Sequence, residues 1–88
     1  MTAKWMTWVL DESPTQHAAR LVQLSLANYA SEEGFCLVGA SAIARETRMT
    51  SVEVERALVW LEQDGWVATF MDDGKTIYQL TTRQFSFD

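Results

Sequence analysis

The sequence predicts a small α+β domain, with three helices followed by a C-terminal β-hairpin. The chain has 88 residues, of which 48% are hydrophobic, which is enough for one core and therefore one domain over residues 1–88. Apolar residues recur at helical spacing in the stretches between Pro14 and Gly65. Two β-prone runs then flank an Asp-Gly turn, which is the signature of a hairpin.

The chain before the first helix is apolar and contains two tryptophans. Its apolar residues are Trp5, Met6, Trp8, Val9 and Leu10. Because two tryptophans exposed on a free tail would be costly, we expect this segment to lie against the body as a short strand or turn.

The first helix is predicted to run from Pro14 to about Ala30. Ser13 is the expected N-cap, and Pro14 suits the first helical position because its missing N–H costs nothing there. The predicted buried stripe contains Ala18, Leu21, Val22, Leu24, Ser25, Leu26 and Tyr29, and the residues placed outside it are Arg20, Gln23 and Asn28.

The second helix is predicted after a short connection. Gly34 is expected in a left-handed conformation at the end of the first helix. The apolar run 35–38 can pair as a strand, and Gly39 breaks it. We then expect a helix from about Ala40 or Ser41 to Arg48.

The third helix and the hairpin carry the clearest local signals. Thr50 and Glu53 have the Thr-x-x-Glu spacing of a capping box. The predicted buried face of the helix consists of Val54, Ala57, Leu58 and Leu61. Gly65 ends the helix, and the runs 66–70 and 76–80 flank the turn Asp72-Asp73-Gly74. Two short helices split by a tight turn and followed by a hairpin describe a winged helix-turn-helix.

Catalytic, metal and membrane functions find little support in the sequence. Cys36 is the only cysteine, so it cannot form an intramolecular disulfide, and it is expected to be a small buried apolar residue. His17 has no second ligand at a metal-binding spacing and no partner that would orient it for catalysis. No apolar run approaches the ~20 residues of a membrane helix, and no signal peptide is recognisable. We expect a cytoplasmic non-enzyme without metal or cofactor.

The framework residues resemble a known family. The matching positions are Trp5, Trp8, Pro14-Thr15, Leu21-Val22, Leu24 to Ala27, Tyr29-Ala30, Glu33-Gly34, Cys36, Ile43-Ala44, Met49-Thr50, Val54, Arg56 to Leu58, and Leu61-Glu62 up to Gly65. The chain is similar over most of its length to the helix-turn-helix domains of phage and plasmid replication initiators and related bacterial regulators. The resemblance implies the winged fold and a common descent, but not a retained activity.

The third helix departs from that family where its members contact DNA. Family members carry arginines, a Thr-Val pair and further basic residues there, whereas this chain keeps only Arg56. The segment 53–73 holds six acidic residues (Glu53, Glu55, Glu62, Asp64, Asp72 and Asp73). With that single base, the segment carries as much net charge as the whole chain, −5. Such a surface repels phosphates.

These charges favour a protein partner over DNA. The expected contact residues are Val52, Glu53, Glu55, Val59, Glu62, Asp64, Asp72 and Asp73. Exposed valines rimmed by acids suit the basic surface of a host protein or nucleoprotein complex. We therefore expect an inhibitor that mimics DNA, as some anti-CRISPR proteins do, although the same acids on an ordinary solvated helix remain an alternative.

The second interpretation is a transcriptional or replication regulator that reads duplex DNA. Its expected contacts are Ser51, Glu55 and Arg56 on bases and Arg45, Arg48 and Lys75 on phosphates. Two or three phosphate contacts are few beside the roughly six to ten of a tight binder. A homodimer would double them, and the Trp5–Trp8 segment and the tail with Phe85 and Phe87 are the expected dimer contacts.

Overall fold

The computed structural model describes residues 3–11, 13, 15 and 17–81, which form four helices and a three-stranded antiparallel sheet. The helices are α1 (Ala3–Asp11), α2 (His17–Tyr29), α3 (Ala40–Thr47) and α4 (Ser51–Gln63). The strands are β1 (Phe35–Cys36), β2 (Val67–Asp72) and β3 (Lys75–Leu80). The α+β class is confirmed, whereas the expected number of three helices was wrong.

The additional helix is α1, where a strand or turn was expected. Trp5, Trp8 and Val9 are three and four residues apart, so they share one side of the helix. Trp5 and Val9 are buried against α2 and the core. The indole Nε1 of Trp5 donates to the backbone oxygen of Glu32 at 3.1 Å. The tryptophans therefore pack on the body as expected, and Trp5 belongs to the core of the protomer rather than to an exposed dimer contact. Phe85 and Phe87 lie outside the described residues.

Helix α2 begins at His17, later than predicted, and Pro14 is outside the described residues. Ser13 lies four residues before the first residue of α2. Its hydroxyl donates to Oε1 of Gln23 at 2.7 Å, and the hydroxyl of Thr15 donates to the same oxygen at 2.6 Å. Gln23, which was placed outside the buried stripe, is completely buried. The two hydroxyls make this burial possible because they satisfy the amide oxygen. Leu21, placed inside the stripe, is instead exposed.

Helices α3 and α4 follow the sequence prediction closely. Arg48 ends α3 in the left-handed conformation, with φ 58°. The capping box at the start of α4 is formed: Thr50 Oγ1 accepts from the Glu53 N–H at 3.1 Å, and Glu53 Oε1 accepts from the Thr50 N–H at 2.8 Å. The four residues predicted to form its buried face are all buried (Val54, Ala57, Leu58 and Leu61).

The sheet has the strand order β1-β3-β2. Asp73 and Gly74 both have positive φ, 54° and 78°, which is the type I′ turn expected of a two-residue hairpin. The register pairs Asp72 with Lys75, Thr69 with Tyr78 and Val67 with Leu80. The short strand β1, in the run predicted to pair, lies on the far side of β3, so β2 forms an edge of the sheet.

The core lies between the helices and one side of the sheet. Its completely buried residues include Val9, Val22, Leu26, Ile43, Val54 and Leu61. Gly34 has positive φ as predicted, but it lies in the turn after α2, against Trp5 and Leu80, rather than in the last helical turn. Within the described ranges, no helix has both the length and the apolar character needed to cross a membrane.

Candidate functional site

The outward surface of α4 is apolar along its centre and acidic on the side of the hairpin. With about 100° of rotation per residue, the exposed side chains follow each other around the helix in a fixed order. That order is Ser51, Glu62, Glu55, Val59, Val52, Gln63, Arg56, Trp60 and Glu53. Val52 and Val59 are 55% and 52% exposed. The two exposed valines therefore separate an acidic margin that contains no base from one that contains a base.

A groove of about 350 Å³ runs between this acidic margin and the hairpin. We call it the acidic groove, and its lining residues are Glu55, Leu58, Val59, Glu62, Thr69 and Tyr78. Leu58 is buried and belongs to the core. Thr69 and Tyr78 are cross-strand partners on the sheet. None of the lining residues carries a positive charge.

The charges of Glu55 and Glu62 act on Tyr78. Burial raises the pKa of the Tyr78 phenol above its usual value, and the negative charges of Glu55 and Glu62 raise this pKa further. The phenol therefore stays protonated and remains a hydrogen-bond donor. A field that disfavours a phenolate also favours a cation. The groove is thus suited to a lysine or arginine side chain.

Glu53, an expected partner contact, also caps the start of α4. The pKa of the Glu53 carboxyl is lowered mainly by its hydrogen bond with the Thr50 backbone. The hydrogen bond with the Thr50 side chain and the charge of Arg56 lower this pKa further. Glu53 lies on the margin of α4 away from the acidic groove. There it lines a shallow depression with Arg56, Trp60 and His17 at the start of α2.

The three expected aspartates also lie away from the acidic groove. Asp64 is the C-cap residue of α4, and its Oδ2 accepts a hydrogen bond from Trp66 Nε1 at 2.8 Å. Asp72 and Asp73 lie at the tip of the hairpin, where Asp72 faces Lys75. Of the eight expected partner contacts, the structure places Val52, Glu55, Val59 and Glu62 on one continuous surface.

Of the residues expected to contact DNA, only Glu55 lines the acidic groove. The hydrogen bond from Tyr29 to Glu46 raises the pKa of the Tyr29 phenol, and the charge of Arg45 nearby opposes this effect only in small part. Lys75 lines a cavity between the hairpin and the start of α3. Arg48 ends α3, and Ser51 is exposed in the first turn of α4. Arg56 lies in the depression beside α2. None of the four expected basic contacts lines the acidic groove.

Sequence reasoning missed Thr69 and Tyr78 as site residues, although the signal was present. The Asp-Gly turn fixes the hairpin register, and counting outward from it places Thr69 opposite Tyr78. Alternation along each strand then sets both residues on the same side of the sheet as Val67 and Leu80, which are buried in the core. The sequence does not show that this side of the hairpin lies beside α4.

The described residues contain no group of three His, Cys, Asp or Glu side chains that could hold a metal ion. Burial raises the pKa of Cys36 to about 12, and its thiol lies 3.3 Å from the Leu26 carbonyl oxygen, so it is a buried neutral group as expected. No protein-family model and no curated protein sequence matches the chain. Function must therefore be argued from the surface of the molecule itself.

Proposed function

We propose that this chain is a non-catalytic winged helix-turn-helix protein that binds the basic surface of a nucleic-acid-handling protein or complex. The fold assignment is supported by the order of α3, the tight turn Arg48-Met49-Thr50, α4 and the hairpin. In such a domain α4 occupies the position of the recognition helix and the hairpin that of the wing. The observation that carries the proposal is the acidic groove, which has two carboxylates and no base at the place where DNA would be held.

The chemistry of the groove suits a cationic partner. Glu55 and Glu62 are two helical turns apart, about 10 Å along the axis, with Val59 between them. Carboxylates form strong charge-assisted hydrogen bonds with lysine and arginine, whereas they repel phosphate. Val52 and Val59 add a small apolar centre beside these charges, an arrangement common in protein interfaces.

This arrangement supports action as a DNA mimic. A protein that handles nucleic acid presents basic residues to the phosphates of its substrate. An acidic helix and wing of the present shape would occupy that basic surface and exclude the nucleic acid. The activity we propose is inhibition of such a complex, in the manner of anti-CRISPR proteins, with the phage-type ancestry suggested by the framework residues.

The proposal is tested by reversing the two groove charges and comparing two kinds of ligand. The variant Glu55→Lys/Glu62→Lys is compared with Glu32→Lys/Glu33→Lys, which changes the net charge equally in the turn after α2. Each protein is used to capture partners from a bacterial lysate, with identification by mass spectrometry. We expect the native chain and the control to retain basic nucleic-acid-binding proteins and the groove variant to lose them.

A fluorescence-polarisation titration with labelled duplex DNA at low salt tests the alternative that the chain reads DNA. On the proposal the native chain binds duplex DNA weakly. Tight, salt-sensitive DNA binding by the native chain, strengthened in the groove variant, would contradict the proposal. It would instead support a DNA reader that uses Arg45, Arg48 and Lys75 on phosphates and Ser51, Glu55 and Arg56 on bases.

A further inference from the structure

Among the residues that the structure describes, strand β2 forms an edge of the sheet that lacks the usual protection. It pairs with β3 on one side only, and residues 69–72 are exposed. Natural edge strands are commonly blocked by lysine, proline or a bulge. β2 contains neither lysine nor proline, its pairing with β3 is continuous, and its only charge is Asp72 at the end. No described strand pairs with its outer backbone groups.

The hairpin register shows which backbone groups these are. In a two-residue hairpin, the carbonyl oxygen of the residue before the turn accepts a hydrogen bond from the N–H of the residue after it. Asp72 and Lys75 are these two residues, so they form a hydrogen-bonded pair. Bonded and non-bonded pairs then alternate along the ladder, which makes Phe70 and Ile77 the next bonded pair. The N–H and C=O groups of Thr69 and Met71 consequently point away from β3.

The two sides of this edge differ in chemistry. Thr69 lies on the side of the acidic groove, next to Glu55 and Glu62. Phe70 lies on the opposite side of the sheet and is 45% exposed, with its ring centroid 6.2 Å from that of Phe35. A strand added to this edge would therefore meet carboxylates on one side and aromatic rings on the other.

A second copy of the chain is a poor occupant of this edge. Two β2 strands paired about a two-fold axis would bring the acidic margins of two α4 helices towards each other, because the acidic groove borders the edge. Like charges in such an interface oppose association. The complementary occupant is a strand with positive charge on the groove side.

We propose that an extended segment of the partner protein, with alternating basic and apolar residues, adds to β2 as an antiparallel fourth strand. This inference rests on the proposed function and specifies how the partner is held. Directly opposed residues of an antiparallel pair lie on the same side of the sheet. The residues opposite Thr69 and Met71 are therefore the basic ones, and the residue opposite Phe70 is apolar. Main-chain hydrogen bonds supply affinity and the two sides supply specificity.

The probe for this inference is an acetylated and amidated peptide that alternates lysine and valine. We expect it to shift the NMR signals of the Thr69 and Met71 amides and to slow their hydrogen exchange. A matched peptide that alternates glutamate and valine is expected to do neither, since its charges meet Glu55 and Glu62. Absence of any binding by the lysine peptide would overturn the inference.

N-methylation of the peptide separates strand pairing from charge attraction. Methylating the lysine amides removes the donors that face β2, and we expect affinity to fall by about tenfold or more, because several hydrogen bonds are lost. The valine amides of the added strand point away from β2, so methylating them is expected to leave affinity unchanged. Both peptides keep the same side chains and charges. Equal affinity of the two methylated peptides would overturn strand addition.

Variants of the protein distinguish this inference from the proposed function. Thr69→Pro removes an outward N–H but no ladder hydrogen bond, so it weakens the lysine peptide if a strand is added. Strand addition is overturned if Glu62→Lys weakens binding of the lysine peptide while Thr69→Pro and N-methylation of the peptide do not. That result would leave the acidic groove as a charge-based site. A thermal melt of Thr69→Pro shows whether the hairpin is intact.

Discussion

Thr69 and Tyr78 lie directly opposite each other in the hairpin, and both side chains line the acidic groove beside α4. The two-residue turn at Asp73 and Gly74 sets the register of the hairpin and thereby brings Thr69 and Tyr78 together at the site. The groove is therefore built by a helix and a strand pair whose relative positions depend on backbone hydrogen bonds. Changes to its charges are expected to leave the fold intact.

The ionisation of Tyr78 reports on the groove charges. In a Tyr29→Phe background Tyr78 is the only tyrosine, and its pKa is measured from the ultraviolet absorbance of tyrosinate. We expect Glu62→Gln to lower the pKa of Tyr78 without restoring its usual value of 10.0, because burial is the larger cause and remains. An unchanged pKa would show that Glu62 does not act on the phenol.

The same pKa shift predicts a loss of stability at high pH. A phenol whose pKa is raised by folding contributes stability that is complete below the unfolded pKa and is lost as pH rises through the folded pKa. For Tyr78 this loss begins above pH 10. Urea unfolding across this range is expected to show a smaller loss in Tyr78→Phe, which cannot ionise.

The glutamates of α4 are expected to differ in their effects on stability. Thr50→Ala removes the acceptor for the Glu53 N–H, and we expect a loss of about 1 kcal/mol in the free energy of unfolding. Glu53→Ala is also expected to destabilise the protein, and since folding lowers the pKa of Glu53, its contribution is lost as pH falls through that folded pKa. Glu55→Ala and Glu62→Ala are expected to leave stability nearly unchanged. Urea unfolding measures all four, and equal losses at Glu53 and Glu55 would contradict this assignment of roles.

The elements that could be predicted from the sequence are those specified by neighbouring residues. The Thr50–Glu53 capping box, the Asp73-Gly74 turn and the buried face of α4 each depend on residues a few positions apart. The order β1-β3-β2 depends on the pairing of Phe35 with Gln79. Because β1 has only two residues, its sequence pattern does not predict this pairing. The position of the edge strand was consequently not foreseen.

The residues that were misread are those whose surroundings come from distant parts of the chain. Gln23 is buried because Ser13 and Thr15 satisfy its amide oxygen. The segment with Trp5 and Trp8 was expected to be a strand or turn, but it is helical, and the ring centroid of Trp8 lies 5.9 Å from that of Trp66. The capping box distinguishes Glu53 from the other glutamates of α4 already in the sequence, but only the position of the hairpin sets Glu55 and Glu62 beside the groove.

Cys36 is expected to be protected from alkylation in the native state. Its thiol is fully buried, with a pKa raised by burial to about 12 from 9.0. Because the thiolate is the reactive form, iodoacetamide should label Cys36 only when the protein opens. Mass spectrometry at pH 8 is expected to show slow labelling that becomes rapid in denaturant. Labelling at equal rates in both conditions would contradict the burial of Cys36.

The conformation of Gly34 makes this position intolerant of a side chain. Its φ is +91°, and a Cβ there would lie 2.7 Å from the Leu80 carbonyl oxygen and 3.0 Å from Cζ2 of Trp5. We expect Gly34→Ser to cost about 2–3 kcal/mol, from the left-handed backbone and the displacement of α1 or β3. Gly39→Ser is the matched control, because Gly39 has φ −90° and no atom within 4 Å of the added Cβ, and serine suits its N-cap position. Thermal unfolding compares the two variants, and equal melting temperatures would contradict the close packing of Gly34 between α1 and β3.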